Sequence, residues 1–346
     1  MSEESQGIYL VTGAAGLVGR KLTERLLEQQ ITVRTLDLKE LEIEGVEHIR
    51  ADLRDTETVK QALKGVSVVF HTASYVSIDP REDAMMYEVN IVANQTLLDE
   101  ARKARVDKFI YTSSIDVVFG GYPIRRGDES LPYPSKFTDY YSYSKATAEQ
   151  AVLNAHNPMG MLTCSLRPGG IYGPGDTIRL PAMVEWARKN SWFTIGNGQA
   201  EFNHVYVDNL VHAHLLAEGA LTPESAVGGQ AYFITDHEPT YFFNFFPPIL
   251  EGLGYRLKTR NIPYGVAMLS AKLATWWDHL PWNKNKKAPN LTPYSVASTA
   301  RDFSFVSDKA QQDFDYQPIV SKEEAIKATI RDLRKRGFAA HVGKER

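Results

Sequence analysis

The segment GIYLVTGAAGLVGRKL at residues 7–22 constrains the fold of this chain more than any other. Its β-branched, apolar start reads as a strand. Gly13, Gly16 and Gly19 follow, at the head of a stretch (17–29) whose Leu22, Leu26 and Leu27 share a helical face. Gly13 permits the tight turn, Gly16 lets the backbone approach a pyrophosphate, and Gly19 lets helix and strand pack closely, with the helix N-terminus facing the anion. Strand, glycines and helix in that order predict a dinucleotide site, with Ala15, Leu17 and Val18 among its contacts.

The alternation continues. ITVRTLD (31–37), VEHIRADL (46–53), SVVFHTA (67–73), KFIYTSS (108–114) and MLTCSLRP (161–168) read as further strands, with helical spacing across 55–65 and 86–105. The expected class is α/β: a Rossmann-type doubly wound parallel sheet with a smaller, mainly C-terminal substrate-binding domain. Residues 1–175 are expected to form the NAD-binding domain and 176–346 mainly the substrate-binding domain; 202–221, a strand followed by a helix, returns to the first. The 346 residues, 43% hydrophobic and 23% charged, exclude a disordered or fibrous chain. A net charge of −3, with no basic run longer than NKNKK (283–287), excludes the counterion-displacing surface of a nucleic-acid binder. Cys164 is the single cysteine, so no internal disulfide forms, and it reads as a small buried apolar residue. The amino terminus lacks the basic and apolar regions of a secretory signal, and no apolar run reaches the roughly 18 residues of a spanning helix, so a cytoplasmic location is expected.

Candidate site residues cluster at the carboxyl ends of these strands, where open α/β sheets bind ligands. Asp37 ends the second strand, where a carboxylate accepts from adenosine ribose hydroxyls and repels a 2′-phosphate; NAD is preferred over NADP, although Lys39 stands close. Asp52 and Leu53 follow the third strand, Ala73 ends the fourth and Thr112 lies on the fifth. In DYYSYSKATAEQ (139–150), Tyr141 and Lys145 are four residues apart and share one helical face, where an ammonium favours phenolate. Ser114, at the end of the fifth strand, can orient a substrate oxygen towards that phenol. Asn90, in EVNIVANQ, is a fourth candidate that would hold a water or helix carbonyl near Lys145; helix capping is its plain alternative.

Taken together, TGAAGLVG, Asp37, ADL, HTAS, TSS, YSYSK and LRPGGIYGPGD resemble the extended short-chain dehydrogenase/reductase family, in that family's order. The resemblance implies that Ser114, Tyr141 and Lys145 are catalytic, and that Pro168, Gly170 and Ile171 touch the nicotinamide carboxamide. The stretches 117–150 and 204–221 resemble the 3β-hydroxysteroid dehydrogenase/isomerase branch, and within it the sterol-4α-carboxylate 3-dehydrogenases. That implies oxidation of a 3β-hydroxyl by NAD, a β-keto acid product where a 4-carboxylate is present, and a homodimer. The implied substrate is small, apolar and steroid-like. The alternatives are a nucleotide-sugar epimerase or dehydratase that retains NAD, and a non-catalytic dinucleotide sensor.

Branch members often carry an apolar membrane-anchoring segment. The corresponding stretch here, 262–282, is interrupted by Lys272 and Asp278. It reads as a core helix or lid, or as peripheral membrane contact through Trp276, Trp277 and Trp282. FFNFFPPIL (242–250) reads as core or cleft lining. His204, His212 and His214 lack the spacing of a metal site, and no metal is expected; His204 stands as a candidate substrate contact at the cleft mouth.

Overall fold

The computed structural model describes residues 7–77, 79–190, 192–278 and 291–340. Seven parallel strands form the central sheet: β1 (Ile8–Thr12), β2 (Val33–Asp37), β3 (Glu47–Arg50), β4 (Val66–His71), β5 (Lys108–Thr112), β6 (Leu162–Pro168) and β7 (Ala231–Ile234). Their order is β7-β6-β5-β4-β1-β2-β3. From β1 the chain runs outward through β2 and β3, then returns to place β4 on the opposite side of β1. The crevice at the carboxyl ends of β1 and β4 is therefore the switch point at which ligands of such sheets bind.

Both faces of the sheet are covered, which explains why its strands read as apolar runs without alternation. Val11 packs with Leu22 and Leu26 of the helix Leu17–Glu28 and with Leu210, Ala213 and Ala217 of the helix Val207–Ala220. Its neighbour Leu10 points the other way, among Leu36, Val59, Leu97 and Val152. Cys164 lies in the first of these cores, and burial pushes its thiol up to about 12.

The six predicted strands are all present. The seventh has no signal in the sequence: AYFI is four residues long, lies where alternation has faded, and becomes a strand by pairing with β6 from Ser165 to Pro168. The helical stretch predicted across 86–105 is two structures, a π-helix at Tyr87–Ala93 continued by the α-helix Asn94–Lys103. A separate apolar cluster joins Tyr172, Leu180 and Trp192 to Phe245, Phe246, Ile249 and Leu250 and to Leu333 of the helix Lys322–Lys335.

Candidate active site

At the nucleotide end each glycine has a steric reason. Gly13 has φ +72°, and a Cβ there would stand 2.6 Å from the backbone of Ala73, so the first and fourth strand ends are pressed together. A Cβ on Gly19 would overlap the Gly13 carbonyl and come within 2.8 Å of the Ala14 Cα. Gly16 caps the helix Leu17–Glu28 without any side-chain hydrogen bond, and no acidic residue occupies the first turn at Leu17 and Val18. That leaves backbone donors and the positive helix end for a pyrophosphate. Asp37 accepts from the Ala15 N–H at 3.0 Å and the Lys39 N–H at 2.9 Å, which fixes its carboxylate against the glycine loop.

Other expected cofactor contacts have partners of their own. Asp52 is bound by Arg54 at 2.7 Å, which holds its carboxyl below the usual range, and Arg54 also reaches Glu88. Leu53 is buried among Leu36 and Val59. The Thr112 hydroxyl is 2.7 Å from His214 Nε2, while its carbonyl accepts from Lys145 Nζ at 2.6 Å. Pro168 ends β6, and Gly170 and Ile171 pair with His204 and Val205 in a short two-stranded ladder.

The Ser114 and Tyr141 hydroxyls meet at the end of β5. Asp139 accepts from the Ser142 N–H at 2.9 Å and so caps the helix Tyr140–Asn154, which places Tyr141 in its first turn and Lys145 one turn on. Ser114 lies within hydrogen-bonding reach of the Tyr141 phenol. Burial and the Asp116 carboxylate raise the Tyr141 pKa, against a smaller lowering by Ser114. Burial brings Lys145 down to about 7, with Glu149 working the other way. Its ammonium rests on the Thr112 carbonyl and over the Tyr111 ring at 4.2 Å. The phenol is therefore governed in this state by desolvation and Asp116, and the expected lowering by Lys145 is not among the influences on it.

Asn90 sits in the π-helix and acts on the Tyr141 helix from outside. Its amide donates to the Tyr75 carbonyl at 2.9 Å and to Ser144 Oγ at 3.0 Å, and its oxygen accepts from the Tyr75 N–H at 2.7 Å. Ser144 Oγ in turn donates to the Tyr141 carbonyl. Asn90 thus clamps the turn carrying Tyr141 rather than a carbonyl near Lys145. The π-helix turns that amide inward, a local distortion common at functional sites.

With this geometry in place, similarity to known proteins becomes decisive. The model of the 3-beta hydroxysteroid dehydrogenase/isomerase family matches residues 10–264. The chain belongs to that family. It is 37% identical over 326 residues to sterol-4-alpha-carboxylate 3-dehydrogenase, decarboxylating, of Mus musculus, covering 93% of this chain and 90% of the relative. Identity is 38% to 3beta-hydroxysteroid-dehydrogenase/decarboxylase isoform 1 of Arabidopsis thaliana, over 94% and 80% of the two chains. It is 35% to a 3 beta-hydroxysteroid dehydrogenase/Delta 5-->4-isomerase of Mycobacterium tuberculosis, over 92% and 88%. Among solved structures, the UDP-glucose 4-epimerase of Thermus thermophilus superposes with TM-score 0.73 at 23% identity, over 94% and 99% of the chains, a likeness of fold.

Several site residues of this 3-beta hydroxysteroid dehydrogenase/isomerase family member were not found by sequence reasoning. Asp116, two residues after Ser114, accepts from the Ser114 hydroxyl and from Tyr294 OH, each at 2.7 Å. Burial and Asp139 raise its carboxyl to about 6. The Ser-x-Asp spacing was the available signal; nothing pointed to Tyr294, 178 positions away. Glu149 is paired with Arg167 of β6 at 2.7 Å and also accepts from Ser165 and Tyr133. Its place four residues beyond Lys145 was legible. Glu149→Ala strands the buried Arg167 and is expected to cost about 3–5 kcal/mol. Urea unfolding checks this; a loss below about 1 kcal/mol would show the pair to be dispensable.

Two expectations are corrected, those on His204 and on the helix Tyr264–Asp278. His204 is not at the cleft mouth: it is fully buried, its ring stacked on Phe245 at 3.6 Å, because the pairing with Gly170 draws it beneath the surface. His214 serves the sheet by bridging Thr112 and the Leu210 carbonyl. The helix Tyr264–Asp278 is not a core helix, because it buries Ala267 and Ala271 and exposes Val266, Leu269, Leu273, Trp276 and Trp277. Trp282 lies outside the described residues. Of FFNFFPPIL, Phe243, Phe245, Phe246, Ile249 and Leu250 are core. Among the described residues no helix is long and apolar enough to cross a membrane.

Proposed function

We propose that this protein is an NAD(H)-dependent dehydrogenase that interconverts the 3β-hydroxyl and ketone of a steroid or sterol. The observation that carries the reading is Ser114 within hydrogen-bonding reach of Tyr141, with Lys145 one turn on, beside a glycine loop that leaves no room for a Cβ at Gly13 or Gly19. NAD, when bound, accepts or returns the hydride. Gly13, Gly16 and Gly19 would hold its pyrophosphate, and Asp37, fixed by Ala15, favours a ribose without a 2′-phosphate.

The remaining steps belong to the chain. In oxidation Tyr141 Oη takes the proton of the substrate hydroxyl, so it must first be ionised. Ser114 Oγ here donates to Asp116 Oδ2 and accepts from the Asp116 N–H; in the reaction it orients the substrate by turning its hydrogen onto the substrate oxygen. Lys145, whose ammonium is held by the Thr112 carbonyl, offsets the charge on the phenolate. Reduction reverses the proton transfer. In this reading residues 1–175 with 202–221 carry the nucleotide, and 176–346 mainly the substrate.

Absorbance at 340 nm with NAD tests the proposal against an epimerase or a sensor. NADH should accumulate with a 3β-hydroxysteroid or its 4-carboxylate and not with a nucleotide sugar. Turnover of the nucleotide sugar without net NADH, and none of any steroid, would overturn it.

A further inference from the structure

We propose that Asp116 is a positioning residue that acts through Ser114: a proton on Asp116 Oδ2 releases the Ser114 hydrogen, which then bonds the carbonyl oxygen of the substrate ketone. The proposal rests on the dehydrogenase reading above and adds to it the control of Ser114.

A serine hydroxyl has one hydrogen and two lone pairs. Ser114 gives its hydrogen to Asp116 Oδ2 at 2.7 Å, and one lone pair accepts from the Asp116 N–H at 3.2 Å. What remains is a second lone pair, from which a ketone oxygen, itself only an acceptor, gains nothing. Drawing the hydrogen off an ionised carboxylate breaks a charge-assisted bond.

With a proton on Oδ2 the same contact reverses. The carboxyl O–H now donates to Ser114 Oγ, so both lone pairs of Ser114 are filled from Asp116 and its hydrogen is free. Ser114 lies within hydrogen-bonding reach of Tyr141, so that hydrogen is directed where a carbonyl must stand to take the proton of the phenol. Tyr294 OH donates to the other carboxyl oxygen, Oδ1, at 2.7 Å, which leaves Oδ2 as the atom that takes up the proton.

The charged and titratable groups facing Asp116 come from three helices. Asp139 caps the helix Tyr140–Asn154 and Tyr141 stands in its first turn; Arg179 opens Arg179–Arg188, and Tyr294 belongs to Pro293–Ala300. Burial and Asp139 favour the neutral carboxyl, whereas Tyr294, Ser114 and Arg179 favour the ionised one. The balance leaves it at about 6. Above that pH the carboxylate holds the Ser114 hydrogen, and below it the hydrogen is released.

The test follows NADH oxidation at 340 nm with a 3-ketosteroid and reads kcat/KM from pH 5 to 8.5. Asp116→Asn copies the protonated state, because Tyr294 holds the amide oxygen in the place of Oδ1 and the amide N–H group faces Ser114. The ratio of variant to wild type cancels the titration of Lys145, which both share. That ratio should rise about 30-fold between pH 5 and pH 8, as the wild type loses its freed hydroxyl. Tyr294→Phe removes a bond that favours the ionised carboxyl, so the fall in kcat/KM should move about one pH unit higher than in wild type.

A constant ratio, a folded Asp116→Asn protein that reduces no ketone at any pH, or a Tyr294→Phe profile that coincides with wild type would each overturn the proposal. The Tyr294→Phe profile decides if Asp116→Asn fails to fold. If the wild type reduces no 3-ketosteroid at any pH, the dehydrogenase reading falls and takes this proposal with it. Reduction with a constant ratio leaves that reading intact and removes the role of Asp116 alone.

Discussion

Tyr141→Phe is expected to lower turnover by about 10³-fold while leaving the dissociation constant for NADH within about 3-fold of wild type. The substitution removes one oxygen and keeps the ring, so packing in the first turn of Tyr140–Asn154 is retained. What is lost is the group that exchanges the substrate proton, and Ser114 cannot replace it because a serine hydroxyl has no accessible ionisation near neutrality. Steady-state kinetics together with a cofactor titration check this. A variant that keeps more than about a tenth of wild-type turnover would remove Tyr141 from the reaction.

Lys145→Met is expected to lower turnover by about 100-fold or more and yet to make the protein more stable near pH 7. The two effects have one cause. Only 2% of Lys145 is exposed, and burial depresses its pKa from 10.5 to about 7. Between those values the unfolded chain binds a proton that the folded protein releases, so stability rises with pH across that window. The penalty is complete below pH 7 and vanishes above 10.5. Methionine removes the penalty but leaves the Thr112 carbonyl without its donor, for a net gain on the order of 2 kcal/mol at pH 7. Urea unfolding of both proteins at pH 7, 8.5 and 10 should show the gap narrowing as pH rises. A gap that stays constant, or a variant less stable throughout, would mean that Lys145 is not held at this cost.

Asp116 ties the carboxyl end of β5 to the C-terminal part of the chain. Through Tyr294 it joins Ser114 to the helix Pro293–Ala300, whose Ala297 packs with Ile115, Phe119 and Phe303. The orientation of the Ser114 hydroxyl, set by the 2.7 Å bond to Asp116, therefore depends on a segment far away in sequence.

The chain's own sequence determined six of the seven sheet strands and the glycine loop, and singled out Ser114, Tyr141 and Lys145 as candidates. Each is a local matter: strands and helices follow from residue periodicity, and the loop follows from glycines that must fall directly after a strand. Tertiary structure decided what surrounds them. Lys145 rests on the Thr112 carbonyl, Asn90 clamps through Ser144, and Arg179 stands within three rings gathered from Phe202, Phe242 and Phe246. Those arrangements come from burial and from partners brought together across long stretches of chain. Desolvation and long-range contact are properties of the packed molecule, and no spacing along the sequence carries them.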